Sequence, residues 1–113
     1  MTPQEILRHA ANLIDTGAWC QKERAQTEQG EWTSVRHPAA ARFCADGALM
    51  RVCGVDTLAA HDPPGSPIGQ AFRALTKACG MNAIVYNDEP GRKASEVAAK
   101  MLEAAELLDK EAA

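Results

Sequence analysis

The chain has 113 residues, a formal net charge of -3 and 46% hydrophobic residues, a composition typical of one globular domain with a modest core. Charges of both signs are interspersed, which argues against a nucleic-acid binder with a clustered basic face. No apolar run reaches the roughly 18 residues needed to cross a bilayer, and the N-terminus carries no secretory signal pattern. We therefore expect a single cytoplasmic domain over residues 1–113, with no nucleic-acid or membrane partner.

The first helix is predicted over residues 3–16. Thr2 is a suitable N-cap, Pro3 fits the first helical position, and Glu5 completes a capping box. Apolar residues then recur at helical spacing up to Gly17, which is a natural C-terminal stop.

Residues 18–37 form the least regular section of the chain. Gln29-Gly30 has turn composition, and Trp32 to Val35 are residues that favour strands. A short β-hairpin and a mobile loop are both compatible with this pattern, and the sequence does not decide between them.

A second helix is predicted from Pro38 to Cys53, where alanines, cysteines and leucine share one face. Gly47 lies inside this pattern, where it either permits close packing of helices or marks a break between two shorter helices. A third helix begins after the cap Ser66 and ends at Gly80.

A short helical turn at 82–86 and a last helix from about Lys93 to Lys110 complete the chain. Val97, Met101, Ala105 and Leu108 form the apolar seam of that last helix. The prediction is a mainly all-α fold, a compact domain of four main helices with the irregular excursion at about 18–37.

The four cysteines, Cys20, Cys44, Cys53 and Cys79, are widely spaced and form no C-x-x-C pair. In a cytoplasmic chain they should be reduced, and small buried hydrophobes are the simplest interpretation. A structural zinc site stays an alternative, although the usual close ligand pairs are missing. We therefore expect no metal site and no cofactor.

The segment from Tyr86 to Arg92 concentrates polar chemistry before the last helix. Asn87 and Asp88 can bond to their own backbone, and Pro90-Gly91 gives a reversal, so a structural turn is one interpretation. The other is a binding site for a ligand or partner, since tyrosine and arginine often dominate binding energy. The candidate binding residues are Tyr86, Asn87, Asp88 and Arg92, joined by Trp19 and Gln21 after the first helix.

Cys44 is a candidate nucleophile, because a cysteine at a helix N-terminus can have a lowered pKa. Within a helix from Pro38 to Cys53 it would instead lie mid-helix, where this activation fails. His37 or His61 could act as its base, and Asp46 or Asn87 could orient that base. A chain with several cysteines and histidines permits such a triad by chance, so we assign no catalytic residue. Phosphate-binding glycine loops, H-E-x-x-H and G-x-S-x-G are missing from the sequence.

Three segments resemble motifs of a family of small uncharacterised bacterial and phage proteins, classed as a domain of unknown function. They are Trp19-Cys20-Gln21, the segment Cys44 to Leu49, and the segment Tyr86 to Arg92 followed by Glu96-Val97. The family usually has threonine where this chain has Lys93, which removes the side chain that would form a capping box with Glu96. The resemblance implies a compact, mainly helical domain and supplies no reaction, ligand or catalytic residue.

From these observations we predict a non-enzymatic module that binds another protein, such as an accessory or inhibitor protein of a mobile element. Two alternatives remain open at this point. One is a thiol-dependent hydrolase or transferase using Cys44, and the other is a small-ligand pocket between Trp19 and Tyr86.

Overall fold

The computed structural model describes residues 1–56, 63 and 65–112. The described part of the chain contains the helices α1 (Pro3–Asp15), α2 (Ala45–Cys53), α3 (Pro67–Cys79), α4 (Ala83–Asp88) and α5 (Ala94–Ala112). Two short strands, β1 (Ala25–Gln26) and β2 (Arg42–Phe43), pair antiparallel, with Ala25 opposite Phe43. The predicted mainly helical fold with a short β element is therefore confirmed.

Helix α1 begins with the predicted capping box. The Thr2 hydroxyl accepts a hydrogen bond from the Glu5 amide at 3.2 Å, and the Glu5 carboxylate accepts one from the Thr2 amide at 2.9 Å. Both bonds satisfy amides that the first turn of a helix leaves without a partner. Within the described residues, no helix combines the length and apolar character required to cross a membrane.

The core lies between α1, α2, α3 and α5, and α1 packs most extensively against α5. Leu7, Ile14, Leu75 and Met101 are fully buried there. Fully buried alanines on α1 and α5 accompany them (Ala10, Ala104 and Ala105). Small side chains at a helix contact shorten the distance between the axes, so the alanine content contributes to close helix packing.

The prediction of a helix from Pro38 was wrong for residues 38–44, since α2 begins only at Ala45. Phe43 instead lies in β2, where its amide donates to the Ala18 carbonyl at 3.0 Å and its carbonyl accepts from the Cys20 amide at 3.1 Å. These long-range backbone bonds override the helix propensity of the preceding alanines. Cys44 becomes the N-cap of α2.

The excursion at 18–37 is held by backbone hydrogen bonds that favour the hairpin over the loop. The Gly30 amide donates to the Thr27 carbonyl at 2.9 Å, and Gln26 and Trp32 form an isolated antiparallel bridge. The main pairing of Ala25–Gln26, however, is with Arg42–Phe43 rather than within the excursion. The excursion therefore folds back onto the start of α2.

Candidate functional site

Asn87, at the end of α4, is the centre of a buried hydrogen-bond network and is 0% exposed. Its Oδ1 accepts from the Trp19 indole N–H at 2.8 Å and from the Ala45 amide at 3.0 Å. Its Nδ2 donates to the Cys20 carbonyl at 3.2 Å and to Asp88 Oδ1 at 3.0 Å. The Asn87 side chain thus uses all four of its hydrogen-bonding positions. It joins α4 to the loop that follows α1 and to the start of α2.

Gln21 and Asp88 extend this network along the loop after α1. The Gln21 side-chain amide donates to the backbone carbonyls of Asn87 at 3.0 Å and Glu89 at 2.8 Å. Asp88 Oδ1 accepts the backbone amide of Lys22 at 2.8 Å. Lys22 has a φ of 74°, a left-handed conformation that is uncommon for a residue with a side chain. The Asp88 bond helps to hold this strained residue in place.

Tyr86 and Arg92 pack against each other at the other end of the turn. The guanidinium carbon lies 3.6 Å from the centre of the Tyr86 ring, within the range of a cation–π interaction. Arg92 Nε also donates to the Tyr86 carbonyl at 2.9 Å, and its Nη2 donates to Glu89 at 3.0 Å. Because Tyr86 is 8% exposed, the ring and the guanidinium are largely covered by each other and by their neighbours.

The start of α5 keeps half of the capping box that Lys93 was expected to disrupt. Glu96 Oε1 accepts the backbone amide of Lys93 at 2.9 Å, so Glu96 does retain a capping partner. The reason is that this half of the box needs only a backbone donor, whereas the missing half needs a threonine or serine side chain.

Gly47 lies where the excursion crosses the first turn of α2. A Cβ at this position would be 2.8 Å from the carbonyl carbon of Arg24 and would overlap its carbonyl oxygen. The Cys44 amide donates to that same oxygen at 3.2 Å. Gly47 therefore permits a close approach, but the backbone that approaches it belongs to the excursion and not to a second helix, as the packing interpretation had it.

Cys44 has the helix N-terminal position that could activate a thiol, but its surroundings act in the opposite direction. Its Sγ accepts the Gly47 amide at 3.3 Å, and burial raises the pKa of the Cys44 thiol to about 11. Burial likewise raises the pKa of Cys20 to about 12. Of the two proposed bases, His37 is exposed and its Nδ1 accepts the Ala39 amide at 3.0 Å. His61 lies outside the described residues. The thiol is a structural cap.

A cleft of about 320 Å³ opens beside this network. Three carboxylates line it (Glu23, Asp46 and Asp88), together with two cations (Lys22 and Arg24), the Cys44 thiol and the apolar side chains of Trp32 and Ile84. Asp46 is almost fully buried, with a side chain 1% exposed, and its Oδ2 pairs with Arg24 Nε at 3.2 Å. Two residues of the family-like segments, Cys44 and Asp88, line this cleft. Trp19 and Tyr86, between which a small-ligand pocket was one alternative, do not line it.

Trp32 forms the edge of this cleft and is 69% exposed. The same indole also lines a second cleft of about 220 Å³, together with Thr33, Val35 and Asp56. The large aromatic side chain therefore stands between two depressions and presents much of its surface to solvent. We name the surface formed by Trp32, Ile84 and the first cleft the Trp32 face.

Hydrogen bonds join four of the six predicted binding residues, which are Trp19, Gln21, Asn87 and Asp88. The other two, Tyr86 and Arg92, are bonded to each other, and Tyr86 precedes Asn87 on α4. Trp32, Glu23 and Arg24 were missed by sequence reasoning. Trp32 was recognised only as a residue that favours strands, and its exposure depends on the pairing of β1 with β2, which the sequence did not reveal. Among the described residues, no cluster of three histidine, cysteine or acidic side chains is arranged to hold a metal ion.

The helical fold and the polar network around Asn87 define a small helical domain with a short β excursion and a mixed-charge cleft beside that network. The chain matches the model of a family of unknown function, DUF6197, over residues 1–107, and it belongs to that family. No curated protein and no solved structure matches it.

Proposed function

We propose that this protein is a non-enzymatic module that binds another protein through the Trp32 face. The observation that carries the proposal is the 69% exposed indole of Trp32, which stands between two clefts. Tryptophan is among the residues that most often dominate the energy of protein interfaces. An indole flanked by concave surface offers a partner both an apolar ridge and two recesses.

Ile84 adds apolar surface to the cleft that Trp32 lines. The next residue on α4, Val85, is 56% exposed. Exposed apolar groups that lie together, unlike scattered ones, are characteristic of interaction surfaces, and Trp32 and Ile84 share one cleft.

The predicted binding residues have two roles in this proposal. Asp88 lines the cleft and contacts the partner directly. Trp19, Gln21 and Asn87 fix the position of Asp88 and of the loop that carries Lys22. Tyr86 and Arg92 hold the turn after α4, which keeps Ile84 and Val85 in place.

The test is selection from a random dodecamer peptide library displayed on phage, with the full chain as the immobilised target. Peptides that are enriched are then measured against wild type and Trp32→Ala by isothermal calorimetry. Loss of one large interface anchor costs about 2 kcal/mol or more, so we expect Trp32→Ala to weaken binding at least about tenfold.

The matched control is Leu102→Ala, because Leu102 is also a large apolar side chain, 47% exposed, and it lines neither Trp32 cleft. Its removal should leave the peptide affinity unchanged. Failure to enrich any peptide, or equal affinity of the enriched peptides for wild type and Trp32→Ala, would contradict the proposal.

A further inference from the structure

Glu23 contributes a buried carboxylate oxygen to the cleft. Its Oε2 is buried and accepts no hydrogen bond from the residues that the structure describes. Buried carboxylate oxygens normally have donors, since an unsatisfied one costs free energy. The Glu23 side chain as a whole is only partly buried and lines the cleft beside Trp32, so a group that enters the cleft could donate to its carboxylate.

The charges around Glu23 favour a cationic donor. Arg24 already pairs with Asp46 at 3.2 Å. The other charged residues that line the cleft are two carboxylates, Glu23 and Asp88, and one cation, Lys22. The exposed face of Trp32 at the edge adds an attraction for a guanidinium or ammonium group through its π electrons. Carboxylate, aromatic face and recess together match a basic side chain.

An anionic ligand fits this cleft poorly, although the N-terminus of α2 lies at its edge. The Ala45 amide already donates to Asn87, and the Gly47 amide donates to Cys44 Sγ. Asp46 in the first turn supplies the negative charge that a helix N-terminus attracts. The amides that would bind an anion are therefore in use.

We infer that the partner inserts one arginine or lysine side chain into the cleft, where its head group donates to Glu23 and lies against Trp32. This inference rests on the proposed function and specifies the chemistry of the partner. The rest of the partner segment would cover Ile84 and Val85.

The experiment uses the peptides selected against the full chain. Each arginine is replaced in turn by citrulline, its neutral isostere, and each lysine by Nε-acetyl-lysine, and affinities are measured by calorimetry. Hydrogen bonds to charged groups are about twice as strong as neutral ones, so we expect one such replacement to weaken binding at least about tenfold. In the protein, Glu23→Gln should make the affinities for the charged and the neutralised peptide nearly equal. The control Glu28→Gln, in the same excursion, should preserve the difference between them.

The outcomes separate the inference from the proposed function. Selected peptides that need Trp32 but bind equally well without any basic residue would overturn the inference and leave the binding module standing. Discrimination that survives Glu23→Gln unchanged would also overturn it, because the cation would then lie elsewhere. If no peptide is enriched, or if the enriched peptides bind Trp32→Ala as tightly as wild type, both the inference and the proposed function would be overturned.

Discussion

The turn at the end of α4 and the Trp32 face lie side by side and differ in how their polar groups are used. In the turn, Asn87 uses all four bonding positions within the chain, and Arg92 is stacked and bonded internally. At the Trp32 face, an indole is 69% exposed and a Glu23 carboxylate oxygen is buried without a donor among the described residues. We call the hydrogen-bond network around Asn87, together with the Tyr86–Arg92 pair, the support. The Trp32 face beside it has the exposed indole on which the proposed function rests.

The sharpest way to break this comparison is Asn87→Ala. The change leaves the Trp19 indole N–H, the Ala45 amide and the Cys20 carbonyl without their buried partner. Each buried group left unsatisfied costs about 1–3 kcal/mol, so we expect the free energy of unfolding to fall by about 3–5 kcal/mol. Urea unfolding followed by circular dichroism measures it.

Asn82→Ala is the comparison for that experiment. Asn82 also accepts backbone amides, those of Ile84 and Val85, but it does so as an exposed N-cap. Loss of an N-cap typically costs about 1 kcal/mol. Equal effects of the two substitutions would show that Asn87 is not the hub of the fold.

A second large loss of unfolding free energy is expected for Gly47→Ala. This substitution tests the contact between α2 and the backbone of the excursion. The added methyl group would meet the Arg24 carbonyl, and a backbone atom cannot move aside as a side chain could. Overpacking of this kind costs about 1–3 kcal/mol, even though alanine is the better helix former. Thermal and urea unfolding should both show the loss.

Gly65→Ala is the matched control for Gly47→Ala. A Cβ at Gly65 would lie within 4 Å of none of the residues that the structure describes, and Gly65 is not among their glycines with a positive φ. We expect this change to be neutral or slightly stabilising. A Gly47→Ala variant that is as stable as Gly65→Ala would mean that the excursion does not press on α2.

The helix boundaries and the apolar face of the last helix were predictable from local sequence. The capping box at Thr2, the caps Ser66 and Gly80, and the apolar seam of α5 all follow from residues close together in sequence. Gly47 and Asn87 were also singled out, the first for close packing and the second for its place in a polar turn. Their partners were not predictable, because the Arg24 carbonyl and the Trp19 indole are far away along the chain.

The Trp32 face was not predicted, and the physical reason is the pairing of the strands. Two residues, Arg42 and Phe43, pair with Ala25 and Gln26, and so short a strand leaves little periodic pattern. Alanines before it indicated helix instead. Since this pairing sets where the excursion lies, exposure of Trp32 and burial of the Glu23 oxygen were beyond sequence reasoning.

Arg92→Ala tests whether Arg92 stabilises the turn after α4 or instead forms part of the proposed binding surface. The substitution removes the stacking on Tyr86 and the bond to its carbonyl, from a side chain that is 15% exposed. We expect a loss of about 1–2 kcal/mol in unfolding free energy. Arg92→Lys should recover only part of it, because an ammonium lacks the planar guanidinium that stacks and bonds together. Unchanged stability of Arg92→Ala would assign Arg92 to the binding surface.

The smallest effect on stability is expected for Trp32→Ala. Trp32 is 69% exposed, and surface substitutions of this kind usually change stability by no more than about 0.5 kcal/mol. The variant should therefore unfold at nearly the same urea concentration as wild type, in contrast with Asn87→Ala. A loss of several kcal/mol would place Trp32 with the support and remove the main argument for binding at this face. Preserved stability with lost peptide binding would separate the two regions, because one substitution would then abolish recognition while the hydrogen-bond network stays intact.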